Sequence, residues 1–89
     1  MVKVSVLLRS YNHERFVERS GESVLAQTLR DLEVILIDDA STDGSLARLR
    51  GIRDSRVRLL VHERRRGGTP TLNECLALAS GEYVAVQEL

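Results

Sequence analysis

An acidic turn is the strongest chemical feature of the sequence. Asp38 and Asp39 directly follow an apolar stretch, and the polar run that continues to Gly44 is rich in capping residues. Adjacent carboxylates at a strand end repel each other unless hydrogen-bond donors use them. One can cap the turn, and the other can accept a hydrogen bond from a ligand, such as the imide N–H of a uracil ring. The alternative is that both only stabilise the turn.

Two further polar segments are candidates for ligand contact. In Ser10–Asn12, Tyr11 can lie beside a base or a ribose, and Ser10 can offer backbone and hydroxyl contacts. The alternative is that Tyr11 closes the core and Asn12 only caps a helix. The run Arg64–Gly68 places three guanidinium groups before a glycine pair, which suits a diphosphate. Such charged runs are more often a solvated surface.

The remaining reactive side chains indicate structural roles. His62 is expected at the surface at a strand end, and Cys75 is expected to be a small buried hydrophobe. Neither is at metal-ligand spacing with His13, and a single cysteine excludes a disulfide framework. The sequence also lacks a Gly-rich dinucleotide motif, a phosphate-cradling loop and a Gly-x-Ser-x-Gly motif.

An alternation of strands and helices must position these side chains. Strands are predicted over Lys3–Leu8, Val34–Ile37, Val57–Val61 and Tyr83–Gln87. Helices are predicted from Asn12 to Thr28, from Asp43 to Ile52, and from Pro70, capped by Thr69, to Gly81; the last would bury Leu72, Cys75, Leu76 and Ala79. The alternation predicts an α/β fold, a three-layer Rossmann-like parallel sheet with strand order 3-2-1-4. A ligand crevice is expected where the strand order reverses, between strands one and four.

Composition narrows the classes of function. The chain has 89 residues, at most one small domain, and its 13 Lys+Arg balance 13 Asp+Glu. Zero net charge argues against a nucleic-acid or polybasic membrane-surface protein, and an aromatic content of 3% disfavours a sugar-stacking lectin or a single-stranded nucleic-acid platform. The apolar stretches are too short for a membrane span or a signal peptide, which predicts a cytoplasmic location.

Together the motifs resemble the start of the family 2 glycosyltransferases, which have the GT-A fold. The matching segments are Val4–Asn12, Ser23–Thr28, Glu33–Ile37, Asp38–Gly44, Gly67, Asn73, Ala77, Ala79 and Gly81–Tyr83. They cover essentially the whole chain, in order and at family spacing. The resemblance implies transfer of a sugar from a nucleotide-diphosphate sugar, commonly a uridine one, to a hydroxyl acceptor.

The resemblance also implies roles for individual residues. Tyr11 would flank the base, Asp39 would accept from uracil, Ser10 would lie along the nucleoside, Asp38 would support the turn, and Arg65 or Arg66 would reach the diphosphate. The family's Asp-x-Asp motif holds a divalent cation, Mg²⁺ or Mn²⁺, and Glu88 occupies roughly its first acidic position. Residues 1–89 are therefore expected to be the nucleotide-sugar-binding N-terminal half of the domain, truncated before the complete motif. Such a portion would hold no catalytic residue, bind nucleotide at most, and be inactive alone.

Departures from the family pattern leave an alternative open. Arg9 stands where the family usually has Pro or Thr, and Leu72 stands where many members have Arg before Asn73. These residues favour a non-catalytic nucleotide-binding or scaffold module with the same fold. A phosphate-accepting receiver domain fits poorly, because its acidic pair would not follow strand two. The exposed edge of strand four predicts self-association.

Overall fold

The chain folds around a four-stranded parallel sheet. The computed structural model describes residues 2–15, 19, 23, 25–26 and 31–87. In these ranges the elements are β1 (Val4–Ser10), β2 (Leu32–Asp38), α1 (Ser45–Arg50), β3 (Val57–Val61), α2 (Gly68–Leu78) and β4 (Tyr83–Gln87). The strand order is β3-β2-β1-β4 and every pairing is parallel, as predicted. The reversal of strand order therefore lies between β1 and β4.

Two apolar clusters cover opposite faces of this sheet. Successive side chains of a strand point to opposite faces, so β1 and β2 contribute to both clusters. One contains Val6, Leu8, Leu32, Val34, Leu36 and, from α1, Leu49. The other contains Leu7, Ile35, Ile37 and, from α2, Cys75. The two helices thus lie on opposite faces, which makes the three predicted layers, and Cys75 is buried as expected.

Strands β1 and β2 run further into the polar sequence than their apolar residues indicate. The prediction ended them at Leu8 and Ile37, whereas they end at Ser10 and Asp38, which pair with each other in the register. Backbone pairing does not require apolar side chains, so the ladder continues where the hydrophobic pattern stops. Asp38 also pairs with Val61, so the ends of three strands lie side by side.

The helices differ from their predictions at the ends and in one face. Helix α1 is shorter than predicted. Helix α2 begins at Gly68 with Gly67 as its N-cap, at a φ of 98° that glycine adopts readily, so Thr69 is not the cap. It ends at Leu78 because Ala79 is already extended. Leu76 is 46% exposed rather than buried, since one residue beyond Cys75 lies about 100° around the helix.

The helix predicted over residues 12–28 lies largely outside the described residues. Within the described ranges, Leu25 packs against the cluster on the α1 face of the sheet. No helix in these ranges is long and apolar enough to cross a bilayer.

Candidate functional site

A pocket opens at the carboxyl ends of the strands, where β1 and β4 meet. Its volume is about 200 Å³. Its lining comes from β1 and the turn after it (Arg9–Tyr11 and His13), from the end of β2 (Asp39), from the segment before α2 (Arg65), from α2 (Gly68 and Thr71) and from β4 (Gln87). The pocket thus lies at the predicted reversal of strand order. Four residues predicted from the sequence, Ser10, Tyr11, Asp39 and Arg65, come together there.

Asp38 is committed to the turn that follows β2. Its side chain is buried, with one oxygen accepting the Ser41 backbone N–H at 3.0 Å and the other accepting the Ser41 hydroxyl at 2.6 Å. These bonds hold a turn in which Ala40 takes a φ of 57°, an unfavourable value for a residue with a Cβ. Asp38 therefore supports the shape of the site from below.

Asp39 is buried and already held by three hydrogen bonds. Its Oδ1 accepts from His62 Nδ1 at 2.8 Å and from the Arg66 backbone N–H at 2.7 Å, while its Oδ2 accepts from the Gly67 N–H at 2.9 Å. Burial raises the pKa of Asp39, but the His62 and backbone bonds outweigh it and the pKa is lowered overall. A carboxylate has about four acceptor positions. Among the described residues one position on Oδ2 is therefore left unfilled, and Asp39 lines the pocket.

Arg65 and Tyr11 form a stacked pair at the pocket. The guanidinium carbon of Arg65 lies 3.8 Å from the centroid of the Tyr11 ring, within the range of a cation–π interaction. The Arg65 Nε lies 3.9 Å from Asp39 Oδ2, and the arginine side chain is more than half exposed. The stack places a positive charge and an aromatic ring beside Asp39 Oδ2.

Arg66 is oriented differently from its neighbour. Its backbone N–H holds Asp39, but its side chain turns to Glu74 on α2, with Nη1 3.3 Å from Glu74 Oε2. Arg66 does not line the pocket, so its predicted contact with a diphosphate stays a prediction. Arg9 lines the pocket instead and, with Arg65, provides two cationic side chains at its wall.

Two buried hydroxyls in the pocket lining have no protein partner. Ser10 and Thr71 are both fully buried, and neither Oγ of Ser10 nor Oγ1 of Thr71 has a hydrogen-bond partner in the described part of the chain. An unpaired buried hydroxyl costs free energy. A polar ligand in the pocket would reduce that cost. Thr71 was not predicted as a site residue, because its place on the pocket face depends on the rotation of α2.

His62 was predicted at the surface, and this was wrong. It is 4% exposed, because the pairing of Val61 with Asp38 places the next residue beside Asp39. Its Nε2 lies 2.6 Å from Glu74 Oε2 on α2. The signal in the sequence was positional: His62 follows β3 as Asp39 follows β2.

Asn12 joins the turns that follow β1 and β2. Its Oδ1 accepts the Thr42 N–H at 2.8 Å, and its own N–H donates to Ser41 Oγ at 3.0 Å. Among the described residues, the Asn12 side chain therefore bonds to the turn after β2 and does not cap a helix that follows it. These bonds tie the turn that contains Tyr11 to the turn after β2.

The cation site proposed at Glu88 lies outside the described residues. In the described ranges no three His, Cys, Asp or Glu side chains are grouped as a metal site. Asp39, the carboxylate that lines the pocket, has three of its acceptor positions filled by the protein. The described residues alone do not form a divalent-cation site.

Comparison with known proteins shows one consistent relationship. The family profile described as Glycosyl transferase family 2 matches residues 5–88. Over 82 residues the chain is 37% identical to the UDP-Glc:alpha-D-GlcNAc-diphosphoundecaprenol beta-1,3-glucosyltransferase WfgD of Escherichia coli, covering 92% of this chain and 32% of that protein.

Solved structures share the fold. Mannosyltransferase PcManGT from Pyrobaculum calidifontis, in complex with GDP-Man and Mn²⁺, matches 97% of this chain with a TM-score of 0.87 and 30% identity. S. aureus TarS 1-349 in complex with UDP matches 98% with a TM-score of 0.88 and 28% identity. The chain covers 27% of each of these two structures and 32% of the glucosyltransferase, so it spans less than a third of each of these three proteins.

Proposed function

The chain belongs to glycosyl transferase family 2, and we propose that it supplies the nucleotide-binding part of a glycosyltransferase. The donor is a nucleotide-diphosphate sugar, UDP-linked, and the acceptor is a hydroxyl group. The observation that carries this proposal is the position left open on Asp39 Oδ2, a buried acceptor in a pocket beside a flat ring. An imide N–H of uracil is a donor of the required kind.

The other pocket residues suit the rest of a nucleotide diphosphate. Tyr11 offers its ring to the base or ribose, and Ser10 offers its unpaired hydroxyl. Arg9 and Arg65 are placed to neutralise phosphate charge, for which the fork of a guanidinium is well shaped. Asp38 acts indirectly, through the turn that it holds.

Titration of the 89-residue chain with UDP and with CDP tests the proposal. Uracil carries a ring N–H where cytosine has an acceptor, so Asp39 should favour UDP. Amide shifts are expected around Tyr11 and Asp39, with UDP bound more tightly than CDP by about tenfold, the worth of a charge-assisted hydrogen bond. Asp39→Ala should abolish the preference. Absence of any shift on adding UDP, with or without Mn²⁺, would reject nucleotide binding by this chain.

A divalent cation completes the proposed site. The mannosyltransferase neighbour is in complex with Mn²⁺, which supports Mg²⁺ or Mn²⁺ as the cofactor here, with Glu88 as one ligand. Such a cation neutralises charge on a leaving diphosphate. In this proposal the described residues supply the base and phosphate contacts.

The non-catalytic alternative depends on Arg9 and Leu72. Leu72 packs against the apolar cluster on the α2 face, so it makes no polar contact with a ligand. Arg9 lines the pocket and adds a cation to it, which favours an anionic ligand under either function. Sugar transfer from a UDP-sugar by a chain that contains these residues would reject the non-catalytic module.

Two further expectations stay predictions. Strand β4 presents Tyr83, Val84 and Val86 at the surface, and we predict that it associates with a second copy of the chain. A concentration-dependent elution volume in size-exclusion chromatography would support this, and a monomer at all concentrations would reject it. The cytoplasmic location is the second expectation.

A further inference from the structure

His62 lies between two carboxylates. Its Nδ1 is 2.8 Å from Asp39 Oδ1 and its Nε2 is 2.6 Å from Glu74 Oε2, while its side chain is 3% exposed. A neutral imidazole has an N–H at one nitrogen and a lone pair at the other. In that state one of the two contacts would place the nitrogen lone pair against a carboxylate oxygen. A ring that carries both protons donates to both carboxylates. The geometry is therefore that of an imidazolium.

The charges around the ring support this protonation state. Asp39 faces it from the end of β2 and Glu74 faces it from α2. Two arginines of the segment before α2 lie beside these carboxylates. Arg66 Nη1 is 3.3 Å from Glu74 Oε2, and Arg65 Nε is 3.9 Å from Asp39 Oδ2. A buried charge is tolerated when it is paired and hydrogen-bonded, and this ring has a carboxylate at each nitrogen.

The ring also determines which oxygen of Asp39 faces the pocket. Oδ1 is filled by His62 Nδ1 and the Arg66 N–H, so the carboxylate cannot rotate without losing both bonds. Oδ2 is left with the Gly67 N–H and one open acceptor position. The bond to Glu74 fixes the ring itself, because it ties the far nitrogen to α2.

We propose that His62 is a positioning residue, a buried imidazolium that orients Asp39 for the nucleotide. The inference rests on the proposed function, because it takes Asp39 as the acceptor of the base. Without the ring, Oδ1 of Asp39 would keep only the Arg66 N–H, and the connection from β2 through the ring to α2 would be lost.

The preference for UDP over CDP, compared between the wild-type chain and His62→Gln, tests the proposal. Without the ring, Asp39 keeps the backbone N–H groups of Arg66 and Gly67 but loses the bond from His62 Nδ1. We expect a preference of about tenfold in the wild-type chain to fall to about twofold in His62→Gln, because Asp39 is no longer held towards the base. A merely structural loss would weaken the binding of both nucleotides equally.

His13 is the matched control, because the chain contains two histidines. His13→Gln should retain the preference for UDP over CDP, whatever it does to the affinity itself, whereas His62→Gln should lose most of it. Circular dichroism shows whether each variant is folded. If His62→Gln does not fold, nitrogen-15 spectra of the wild-type His62 ring at about pH 6 decide: two protonated ring nitrogens support the proposal.

The outcomes separate this inference from the proposed function. An unchanged preference for UDP over CDP in a folded His62→Gln, or a ring with one proton at about pH 6, would overturn the role of His62 while leaving nucleotide binding intact. A wild-type chain that binds no UDP at any pH would overturn the proposed function and this inference with it.

Discussion

The guanidinium carbon of Arg65 lies over the ring of Tyr11, 3.8 Å from its centroid, and both residues line the pocket. The two residues are 54 positions apart in the sequence and come from different loops at the carboxyl edge of the sheet. Both were candidates for ligand contact, but on separate grounds: the ring for a base and the guanidinium for a diphosphate. Their stacking means that a ligand meets them as one surface.

Replacing Arg65 should separate charge from stacking. Arg65→Gln removes the positive charge beside Asp39, and we expect the Kd for UDP to rise about tenfold, while that for uridine rises no more than about threefold. Isothermal titration at low and moderate salt measures both ligands. Arg64→Gln is the matched control, since Arg64 is exposed and outside the pocket lining. Equal losses for UDP and uridine would contradict a contact between Arg65 and phosphate.

A buried carboxylate far from the pocket should make stability depend on pH. Glu33 Oε2 accepts from the Ser5 hydroxyl and from the N–H and hydroxyl of Ser80, which ties β1, β2 and the loop before β4. Burial raises the pKa of Glu33, but these bonds and Arg58 lower it overall, below its ordinary value of 4.5. The ionised form is therefore favoured by folding. Its contribution is present above about pH 4.5 and is lost as the pH falls further.

Glu33→Gln should remove that dependence. We expect it to lower the free energy of unfolding at pH 7 by about 1–2 kcal/mol, because neutral hydrogen bonds replace charge-assisted ones. As the pH is lowered, its free energy of unfolding should fall less steeply than that of the wild-type chain. The difference in slope corresponds to at most one proton bound on unfolding. Urea unfolding across the acid range measures this, with the exposed Glu63→Gln as the control. An unchanged acid slope in Glu33→Gln would refute the argument.

The fold was predictable because its signals are local and repeated. Short apolar runs indicated the four strands, and the rule for right-handed crossovers gave their order. The register then follows: once β1 and β2 pair as far as Ser10 and Asp38, Tyr11 and Asp39 must lie at one edge. That is why these candidate residues at strand ends line one pocket.

The parts that were missed depend on how side chains pair across elements. The burial of His62 follows from two carboxylates that come from β2 and α2, and no single segment contains that information. Likewise, Thr71 lines the pocket and Leu76 is exposed because α2 packs with Cys75 buried against the sheet. A helix stripe in the sequence permits several rotations, and packing selects one.

Relieving the strained residue of the acidic turn should stabilise the chain. Ala40 has a φ of 57°, which costs a residue with a Cβ about 1–2 kcal/mol. Glycine avoids that cost but loses more backbone entropy on folding. Ala40→Gly should therefore raise the free energy of unfolding by about 0.5–1 kcal/mol.

A second alanine provides the matched control in urea unfolding. Ala47 is an exposed residue of α1, and Ala47→Gly should lower stability by about 1 kcal/mol. Opposite signs for the two substitutions are the expected result. A loss of stability for Ala40→Gly equal to that for Ala47→Gly would show that position 40 carries no left-handed strain.

Removing the unpaired hydroxyl of Thr71 should make the chain more stable and weaken its binding of UDP. Valine has nearly the same shape but no buried polar atom to leave unsatisfied, so Thr71→Val should raise the free energy of unfolding by about 1 kcal/mol. If the hydroxyl serves the nucleotide, the same substitution should raise the Kd for UDP about threefold to tenfold. Thr69→Val, at an exposed position of the same helix, should change neither quantity. A Thr71→Val chain that is more stable and binds UDP as well as the wild type would remove Thr71 from the site, because its hydroxyl would then be a cost that no ligand offsets.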